Sequence, residues 1–370
     1  MTAGADAIVV GGGLHGCSAA LHLAMRGARV LVLEKDTVAR HASGVNAGGV
    51  RRLGRDLAEI PLADAAARVW HAIGDLVDDD CGFQPSGQVK IGETEAEMAE
   101  MAARVERIRA LGFAHEVLIG ADELRERLPA VAGHCRGAIV VDGDGHANPF
   151  RTTQAFHRKA RALGVRFLEG TAVRDLARAG GAWTVDSAAG HSQAPVLVNC
   201  AGAWGAAMAA KLGEPVPLSA EAFMLMVTQP MAPFVGPVVG AWGRALSFKQ
   251  LGNGAVLIGG GHRGLADPDA NRAGVDVAGL AASARTAAAI FPVMRHAAVV
   301  RAWAGIEGET PDKIPVIGES ATAEGAFHAF GFSGHGFQLG PIVGRVVADL
   351  VTDGATDLPI EAFRIDRFAN

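Results

Sequence analysis

The amino-terminal fifty residues alternate short apolar runs with turns of small residues. Residues 7–10 and 29–33 form two such runs, each apolar at nearly every position, as is typical of strands buried on both faces of a parallel sheet. Between them, apolar residues recur at helical spacing from Leu14 to Ala24, and Gly27 ends the segment. The pattern therefore predicts a strand, a helix and a second parallel strand, the opening unit of an α/β fold.

Three glycines between the first strand and the helix, Gly11, Gly13 and Gly16, have the spacing G-x-G-x-x-G, and Glu34 follows the second strand. Glycines allow a pyrophosphate to approach the backbone, the helix amino terminus attracts the anion, and the acid accepts hydrogen bonds from ribose hydroxyls. This order predicts a dinucleotide site, and a glycine turn in another kind of α/β protein is the alternative. To the same site we assign the neighbouring residues Leu14, His15 and Lys35, although solvated positions are the alternative for the last two.

The residues after Glu34 distinguish between dinucleotides. An NAD-binding domain normally starts its next helix soon after the acid, whereas residues 40–51 here form a loop rich in glycine, serine and asparagine. Such a loop offers N–H groups and hydroxyls to phosphates and lets a flat ring lie close to the chain. It resembles the second flavin-contact region of FAD enzymes of the D-amino acid oxidase superfamily, in particular the glycine oxidases, the sarcosine oxidases and the catalytic subunits of opine oxidases and amino acid dehydrogenases. The flavin contacts expected here are Ser43, Asn46, Ala47, Gly48 and Gly49.

Three further segments carry the same resemblance, in the order found in the family. Residues 196–204 are similar to its strand and turn against FAD, residues 303–318 to its Gly…Thr-Pro-Asp segment, and residues 330–341 to its closing glycine loop. The residues after this loop predict a helix with Pro341 in its first turn and an apolar face that ends before Gly354. In the family this helix directs its positive dipole end at the flavin pyrimidine. The contacts with FAD that the resemblance implies are Val173, Ala201, Gly202, Trp204, Gly305, Gly334, His335, Gly336, Phe337 and Gln338.

The resemblance and the pattern together predict an α/β fold in which two domains are interleaved. A Rossmann-like FAD-binding domain is expected over residues 1–85, 143–215 and 302–370. A substrate domain built on an antiparallel sheet is expected over residues 86–142 and 216–301. This arrangement is that of two-layer flavoproteins of the glutathione reductase type.

Local signals place the remaining elements. One helix is predicted over residues 62–77, another is opened by a capping box at Thr94 and Glu97, and a third covers residues 152–163. A strand is predicted over residues 166–173. Strand-like runs that would roof the flavin follow at residues 223–228, 245–250, 255–259 and 299–304.

Composition narrows the class of protein further. A chain of 370 residues exceeds what one simple core usually covers, which favours two domains. The net charge of −5, without a basic face, argues against a nucleic-acid partner. No apolar run is long enough to span a membrane, and the four scattered cysteines, with no C-x-x-C pair, favour reduced thiols in a cytoplasmic protein. No metal site is predicted.

The chemistry implied by the resemblance is oxidation of a C–N bond, with hydride transfer to flavin N5. Arg51, directly after the flavin loop, is the candidate clamp for a substrate carboxylate, and Arg52 or Arg55 could take its place. Glu307 stands where glycine oxidases carry an arginine, so it either attracts a cationic amine or basic arm of the substrate or pairs with a nearby arginine such as Arg301 or Arg244. His262, after a strand of the roof, and His335, in the flavin loop, are the other candidates for the catalytic site. The alternatives are that Arg51 forms a surface ion pair, that His262 is a solvated turn residue, and that His335 contacts the cofactor without a role in proton transfer.

Two features of relatives are missing. Some sarcosine oxidases tether the flavin through a cysteine, and residues 304–309 contain none, so we expect non-covalent FAD. Those oxidases also activate oxygen with a lysine of the roof, whereas residues 255–259 lack one and Lys249 on the preceding strand is the nearest alternative. The electron acceptor, oxygen or another, therefore stays open.

Three functions remain compatible with the sequence. The favoured one is oxidation of a small secondary amine or amino acid, and the absence of tyrosine excludes a tyrosine clamp for such a substrate. The second is oxidation of a 2-hydroxy acid. The third is a flavin-bearing dehydrogenase subunit of a larger complex, and a homo-oligomer is also possible.

Overall fold

The computed structural model of the protein describes residues 4–369, in which twenty-one strands and ten α-helices follow one another. The strands are β1 (Ala7–Val10), β2 (Val30–Leu33), β3 (Gly49–Val50), β4 (Gln88–Gly92), β5 (Val117–Gly120), β6 (Gly137–Val141), β7 (Gly145–His146), β8 (Arg166–Leu168), β9 (Val173–Ala179), β10 (Ala182–Ser187), β11 (Gly190–Ala194), β12 (Val196–Asn199), β13 (Ser219–Thr228), β14 (Val238–Ala241), β15 (Ser247–Gln250), β16 (Val256–Gly259), β17 (Leu265–Asp267), β18 (Arg272–Gly274), β19 (Val299–Glu309), β20 (Val316–Glu319) and β21 (Ala326–Phe330). The helices are α1 (Leu14–Met25), α2 (Ala42–Val45), α3 (Ile60–His71), α4 (Ile73–Val77), α5 (Glu95–Ala110), α6 (Ala121–Arg127), α7 (Pro149–Ala162), α8 (Gly205–Lys211), α9 (Val277–Ile290) and α10 (Gly336–Asp353).

A six-stranded sheet with the order β20-β21-β12-β1-β2-β8 forms the first layer system. Its strands from β21 to β8 are parallel, and only the edge strand β20 is antiparallel. Successive residues of β1 enter different cores, because side chains of a strand alternate between the two faces. Ala7 and Val9 pack with helices α1, α3, α7 and α10, whereas Ile8 and Val10 pack with the three-stranded sheet β9–β11. Both faces are thus covered, as the wholly apolar runs predict.

An eight-stranded sheet forms the second layer system, with the order β19-β13-β16-β15-β14-β4-β6-β5. Its pairs are antiparallel except β14 with β4. Phe248 and Ile258 face a core shared with helix α9. Lys249 and Leu257, one residue away on the same strands, face the opposite side and line a cavity. This sheet is the roof expected from the sequence.

The α/β fold class, with a parallel Rossmann-like sheet interleaved with a largely antiparallel one, is confirmed. The predicted division differs from the structure at residues 302–309, because β19 continues to Glu309 within the larger sheet. The helix predicted over residues 62–77 is interrupted at Ala72, between α3 and α4. The strand predicted over residues 166–173 is also divided, since β8 ends at Leu168 and β9 starts at Val173.

The last helix begins earlier than its proline indicates. α10 starts at Gly336, so Pro341 lies inside the helix and not in the expected first turn. An internal proline removes one backbone hydrogen bond, but α10 is buried over most of its first twelve residues, and that packing stabilises it regardless of local preference. The Pro341 carbonyl lies 3.2 Å from His22 Nε2 and accepts from the hydroxyl of Ser18 at 3.4 Å.

Within residues 4–369, no helix has both the length and the apolar character needed to cross a membrane. The same residues contain no cluster of three or more histidine, cysteine or acidic side chains that could hold a metal ion. All four cysteines are buried and free. Burial raises the pKa of Cys200 to about 12, so this thiol is a poor nucleophile.

Helices α1 and α10 cross at a very short distance because both present small residues. A Cβ on Gly344 would lie 2.1 Å from Ser18 Oγ, and one on Gly340 would lie 2.4 Å from Leu14 Cδ2. Contacts this short leave no space for a methyl group. The position of α1, and of the glycine turn at its start, therefore depends on these glycines of α10.

Replacing Gly344 by alanine should force the two helices apart. Overpacking of this kind costs about 1–3 kcal/mol of the free energy of unfolding, which denaturation by urea measures. Gly74→Ala is the matched control, because Gly74 is also helical and nothing lies within 4 Å of its added Cβ. The control should be neutral or slightly stabilising, and equal effects of both substitutions would contradict the close crossing.

Candidate functional site

A cavity of about 960 Å³ lies where the carboxyl ends of the parallel strands meet the free face of the eight-stranded sheet. Open α/β sheets bind their ligands at this edge. One wall comes from the ends of β1 and β2, from the loop around α2, and from the segment after β12. The other wall comes from β4, β13, β14, β15, β16 and β19, so the six-stranded and the eight-stranded sheets enclose the site together.

The glycine turn brings three backbone segments closer than any side chain would permit. Gly11 has φ +107°, and a Cβ there would lie 2.4 Å from the carbonyl oxygen of Cys200. A Cβ on Gly16 would lie 1.9 Å from the carbonyl oxygen of Gly11. Gly13 has no side chain to cap α1, and within the described chain only the N–H of Leu14 at its start is taken up, by Ser43 Oγ, so the helix still presents its positive end to the cavity. This cradle suits a phosphate anion.

Glu34 is fixed at the end of β2 by two backbone groups. One carboxylate oxygen accepts the N–H of Gly12 at 2.5 Å, and the other accepts the N–H of Asp36 at 2.8 Å. Burial raises the pKa of Glu34, and these two hydrogen bonds act in the opposite direction. The acid is therefore held against the glycine turn, where a ribose would follow a pyrophosphate.

Lys35 and Trp204 lie in a cluster that joins the two layer systems. The Lys35 ammonium is 3.8 Å from the centre of the Trp204 ring and 2.9 Å from the Asp36 carboxylate. Asn271, in the turn between β17 and β18, donates to Asp36 at 2.9 Å, and Trp204 donates to the carbonyl of Pro268 at 3.2 Å. Lys35 is thus half-buried among partners rather than solvated.

The loop around α2 is held by its own small side chains. Asn46 accepts the N–H of Gly48 at 2.7 Å, and Ser43 Oγ accepts the N–H of Leu14 at 2.9 Å. Gly48 has φ +67°, and a Cβ there would lie 2.1 Å from the carbonyl oxygen of Ala147. The loop therefore follows the cavity wall closely, as a flat ring system requires.

Strand β19 contacts both loops of the cavity. The indole N–H of Trp303 donates to the carbonyl of Val45 at 2.8 Å. Further along the strand, Glu307 accepts the N–H of Gly334 at 2.6 Å. The two loops that a flavin would touch are thereby attached to the same strand of the roof.

The closing loop positions His335 through a buried acid. His335 Nδ1 lies 2.9 Å from Glu59, and Arg55 donates to the His335 carbonyl at 3.1 Å. Burial lowers the pKa of His335 to about 4, although Glu59 favours the charged form. The ring is therefore neutral near pH 7, with Nδ1–H donating to the carboxylate. Arg55 is 1% exposed and serves this loop, so it does not replace Arg51.

Glu307 is the acid of the roof that lines the cavity. Burial raises the pKa of its carboxyl to about 7, with a smaller opposing effect from the Gly334 N–H and from Arg263. The alternative ion pairs do not form: Arg244 pairs with Glu93, and Arg301 lies beside the Trp303 ring. Glu307 thus has no cationic partner within 4 Å among residues 4–369.

Most of the predicted site residues line the cavity, and three do not. His262 lies beside Gly279 of α9 and is absent from the cavity wall. The side chain of Gln338 points away, since its amide donates to the Ala63 carbonyl at 2.7 Å. Gly16 contributes close packing only. The predicted residues that do line it are Gly11, Gly13, Leu14, His15, Glu34, Lys35, Ser43, Asn46, Ala47, Gly48, Gly49, Arg51, Val173, Ala201, Gly202, Trp204, Gly305, Glu307, Gly334, His335, Gly336 and Phe337.

Sequence reasoning missed Lys90 and Trp242. Lys90 lines the cavity from β4, and its ammonium lies 4.8 Å from the centre of the Trp242 ring. A signal existed, because Val89 and Ile91 are apolar neighbours in a strand and Lys90 must face the other side. The sequence around Lys90 did not indicate that this other side of the strand forms a cavity wall.

The glycine cradle, the anchored acid and the two ring-lining loops together define a flavin-dependent oxidoreductase. Residues 6–350 match the profile of the family described as FAD dependent oxidoreductase, DAO. The chain belongs to this family, as the resemblance predicted, and it is an FAD enzyme.

Individual relatives cover the whole chain. It is 27% identical over 377 residues to a glycine oxidase of Geobacillus kaustophilus (strain HTA426), covering 99% of this chain and 98% of the relative. It is 26% identical to one of the subunits of the opine oxidase of Rhizobium meliloti, covering 98% and 97%. Among solved structures, glycine oxidase from Geobacillus kaustophilus has a TM-score of 0.92 at 25% identity over 100% of both chains. L-proline dehydrogenase from P. horikoshii has 0.91 at 26% identity, covering 100% and 98%.

We predict that the flavin is held without a covalent bond, because residues 304–309, where some sarcosine oxidases carry the tethering cysteine, contain none. Precipitation of the purified protein with acid should release the yellow cofactor into the supernatant. Absorbance of the two fractions measures this directly. Flavin that stays with the precipitate would establish a covalent link through another residue.

Proposed function

We propose that this protein oxidises the C–N bond of a small secondary amine or amino acid, giving an imine that hydrolyses. The observation that carries the proposal is the pairing of opposite charges in one cavity: Arg51 and Glu307 both line it, and neither has an ion-pair partner among the described residues. An amino acid carries a carboxylate and an amine, which match these two groups. Relatives named glycine oxidase and L-proline dehydrogenase support the same class of substrate.

The residues around the cavity would hold FAD along its whole length. The cradle at Gly11 and Gly13 suits the pyrophosphate, and Glu34 suits a ribose. Val173 lines the end where the adenine would lie, and the loops around Ser43 and Gly334 would flank the ring. When bound, FAD supplies an acceptor for the hydride that leaves the substrate carbon.

Arg51 would bind the substrate carboxylate. One of its guanidinium nitrogens, Nη1, donates to the Leu53 carbonyl at 2.7 Å, which fixes the side chain and leaves its other N–H groups for a ligand. No carboxylate lies within 4 Å of Arg51 among the described residues. Burial lowers the pKa of Arg51, and the more distant Glu59 and Asp144 act in the opposite direction. A guanidinium so placed suits a bidentate contact.

Glu307 would take the proton that the amine must lose before a hydride can leave the adjacent carbon. Its Oε1 accepts the Gly334 N–H, and Oε2 has no hydrogen bond within the described chain. A carboxyl with a pKa of about 7 is half ionised near neutrality, which suits a general base. His335, neutral and fixed by Glu59, would orient the substrate rather than exchange protons.

The proposed reaction balances in atoms and electrons. The C–H bond next to nitrogen breaks, its electron pair leaves as hydride, and the nitrogen lone pair forms the C=N bond. Water then hydrolyses the imine to a carbonyl compound and an amine. Oxygen or another acceptor must take up the two electrons, and the similarity to one chain of an opine oxidase makes a partner chain one candidate.

Anaerobic mixing of the holoenzyme with panels of amines, amino acids and 2-hydroxy acids tests the proposal. Bleaching of the flavin absorption by amines supports it. Bleaching by 2-hydroxy acids alone would replace it with the alcohol-oxidising alternative. Admission of air afterwards, with an assay for peroxide, identifies oxygen as the acceptor or excludes it.

Arg51→Ala should weaken substrate binding strongly and leave the flavin content near normal. Loss of a charge-assisted contact costs about 1.5–3 kcal/mol, or roughly 10- to 150-fold in KM. The control is Arg68→Ala, whose side chain is 71% exposed and should have no effect. If Arg51→Ala loses its flavin instead, the residue serves the cofactor.

Glu307→Gln should change the dependence of kcat/KM on pH. The raised pKa means that Glu307 gains its basic form as pH rises through about 7, so activity should rise over this range and then level. The glutamine variant cannot accept the proton, so its activity should fall roughly 100-fold at pH 7 and recover only at the higher pH where the free amine deprotonates. Glu319→Gln, on the exposed end of β20, is the control. An unchanged profile in Glu307→Gln would remove Glu307 from the chemistry.

A further inference from the structure

Three cations line one side of the cavity without a carboxylate partner among residues 4–369. They are Arg51, Lys90 and Lys249. Among the other arginines of the wall, Arg244 pairs with Glu93 and Arg263 with Glu309, whereas Arg55 donates to the carbonyls of Arg51 and His335. Glu116 favours the charged forms of Arg51 and Lys90 from beyond ion-pair distance, so their positive charge is reduced but no carboxylate contacts either cation, and Lys249 has not even a distant carboxylate of this kind.

Lys249 is the most unusual of the three. It lies on β15 between buried strands, its residue is 5% exposed, and it makes neither a hydrogen bond nor an ion pair with the described residues. Burial lowers the pKa of its ammonium to about 7. An isolated buried amine destabilises a fold, and an apolar side chain would fill this position better. A ligand anion would supply the missing partner.

Lys90 and Arg51 form a second cationic position. A point 1.5 Å from the Gly54 backbone, where a Cβ would stand, lies 3.5 Å from Lys90 Nζ and 3.7 Å from Arg51 Nη1. The two charges are therefore no more than about 7 Å apart. Burial lowers the pKa of Lys90 to about 8, and the Arg51 charge adds to this effect. Two like charges so close would be stabilised by one shared anion.

The sheet register separates the two positions by a definite amount. β15, β14 and β4 are consecutive in the sheet, and Lys90 is level with Gly240 and Ser247. Lys249 lies two strands across and two residues along, which corresponds to about 12 Å between the two lysine Cα atoms. Both side chains extend into the same cavity, so a single small molecule can reach both.

Glu307 is on the far side of this positive region. Its strand, β19, is three strands from β15, on the opposite side from β4. Across the roof, Glu307 comes first, Lys249 follows, and Lys90 comes last, with Arg51 beside it. A substrate with one amine and one carboxylate would leave one of the cationic positions without a partner.

We propose that the natural substrate is a secondary amine with two carboxylates, one held by Arg51 and Lys90 and the other by Lys249. This inference rests on the proposed function and specifies its substrate class. The amine lies toward Glu307, and the two carboxylates neutralise the cations of the roof. A second charge-assisted contact should make such a dianion bind roughly 10- to 100-fold more tightly than an analogue with one carboxylate.

The test compares two amines of similar size and shape. N-(2-carboxyethyl)glycine carries two carboxylates, and N-propylglycine carries one. With the holoenzyme under anaerobic conditions, the rate of flavin bleaching against concentration gives an apparent dissociation constant for each. We expect the dicarboxylate to bind roughly 10- to 100-fold more tightly in the wild type. Equal constants would overturn the inference while leaving amine oxidation intact.

Lys249→Met removes the charge and keeps the length of the side chain. It should lower the ratio of the two dissociation constants to about twofold or less, and Lys249→Arg should restore most of this ratio. Lys211→Met, on α8 outside the cavity wall, is the matched control. If Lys249→Met instead slows only reoxidation by oxygen, Lys249 serves the acceptor and the inference is wrong.

A second measurement separates this inference from the proposed reaction. Glutarate and pentanoate cannot be oxidised at nitrogen, and each shifts the flavin absorption if it binds beside the ring. Tighter binding of glutarate, lost in Lys249→Met, would support the two-carboxylate site even if no amine bleached the flavin. Equal weak binding of both acids would contradict the site whatever the amines do.

Discussion

The contact between the glycine turn and the segment after β12 is the constraint on which the rest of this molecule depends. Gly11 and Gly16 allow the backbone of the turn to lie against Cys200 and against itself at distances that exclude a side chain. This sets the position of α1, and α1 in turn receives α10 at Gly344. The closing loop before α10 is then brought to the same cavity, although more than 300 residues separate it from the turn.

The second layer system completes the site by contributing charge rather than shape. The turn, the loop around α2 and the closing loop are made largely of small residues and backbone groups, which suits a ring and its phosphates. The roof supplies Glu307, Lys90 and Lys249, each from a different strand. This division between the loops and the roof has a physical reason. A cofactor requires close approach of the backbone, whereas selection of a substrate requires particular side chains.

The sequence predicted those features that depend on residues close together in the chain. The glycine spacing and Glu34 identify the dinucleotide end because strand, turn, helix and acid follow one another within the first 34 residues. The prediction that Pro341 lies in the first turn of α10 was wrong. The start of this helix depends on its packing against α1 and not on the preference of proline for a first turn. Gln338 and His262 were assigned from neighbouring motifs, but their side chains turn toward α3 and α9. Such orientations depend on contacts far apart in the chain.

The attachment of both loops to β19 has a mechanical consequence. Trp303 holds the Val45 carbonyl, and Glu307 holds the Gly334 N–H, so one continuous strand ties the floor of the cavity to its roof at two points. Hinged opening of the two halves would have to break both bonds together, and the cluster around Asn271 and Asp36 as well. The enclosure should accordingly behave as a rigid cup. Substrate and product would enter and leave between its loops, and the width of the openings between these loops would limit the rate of exchange.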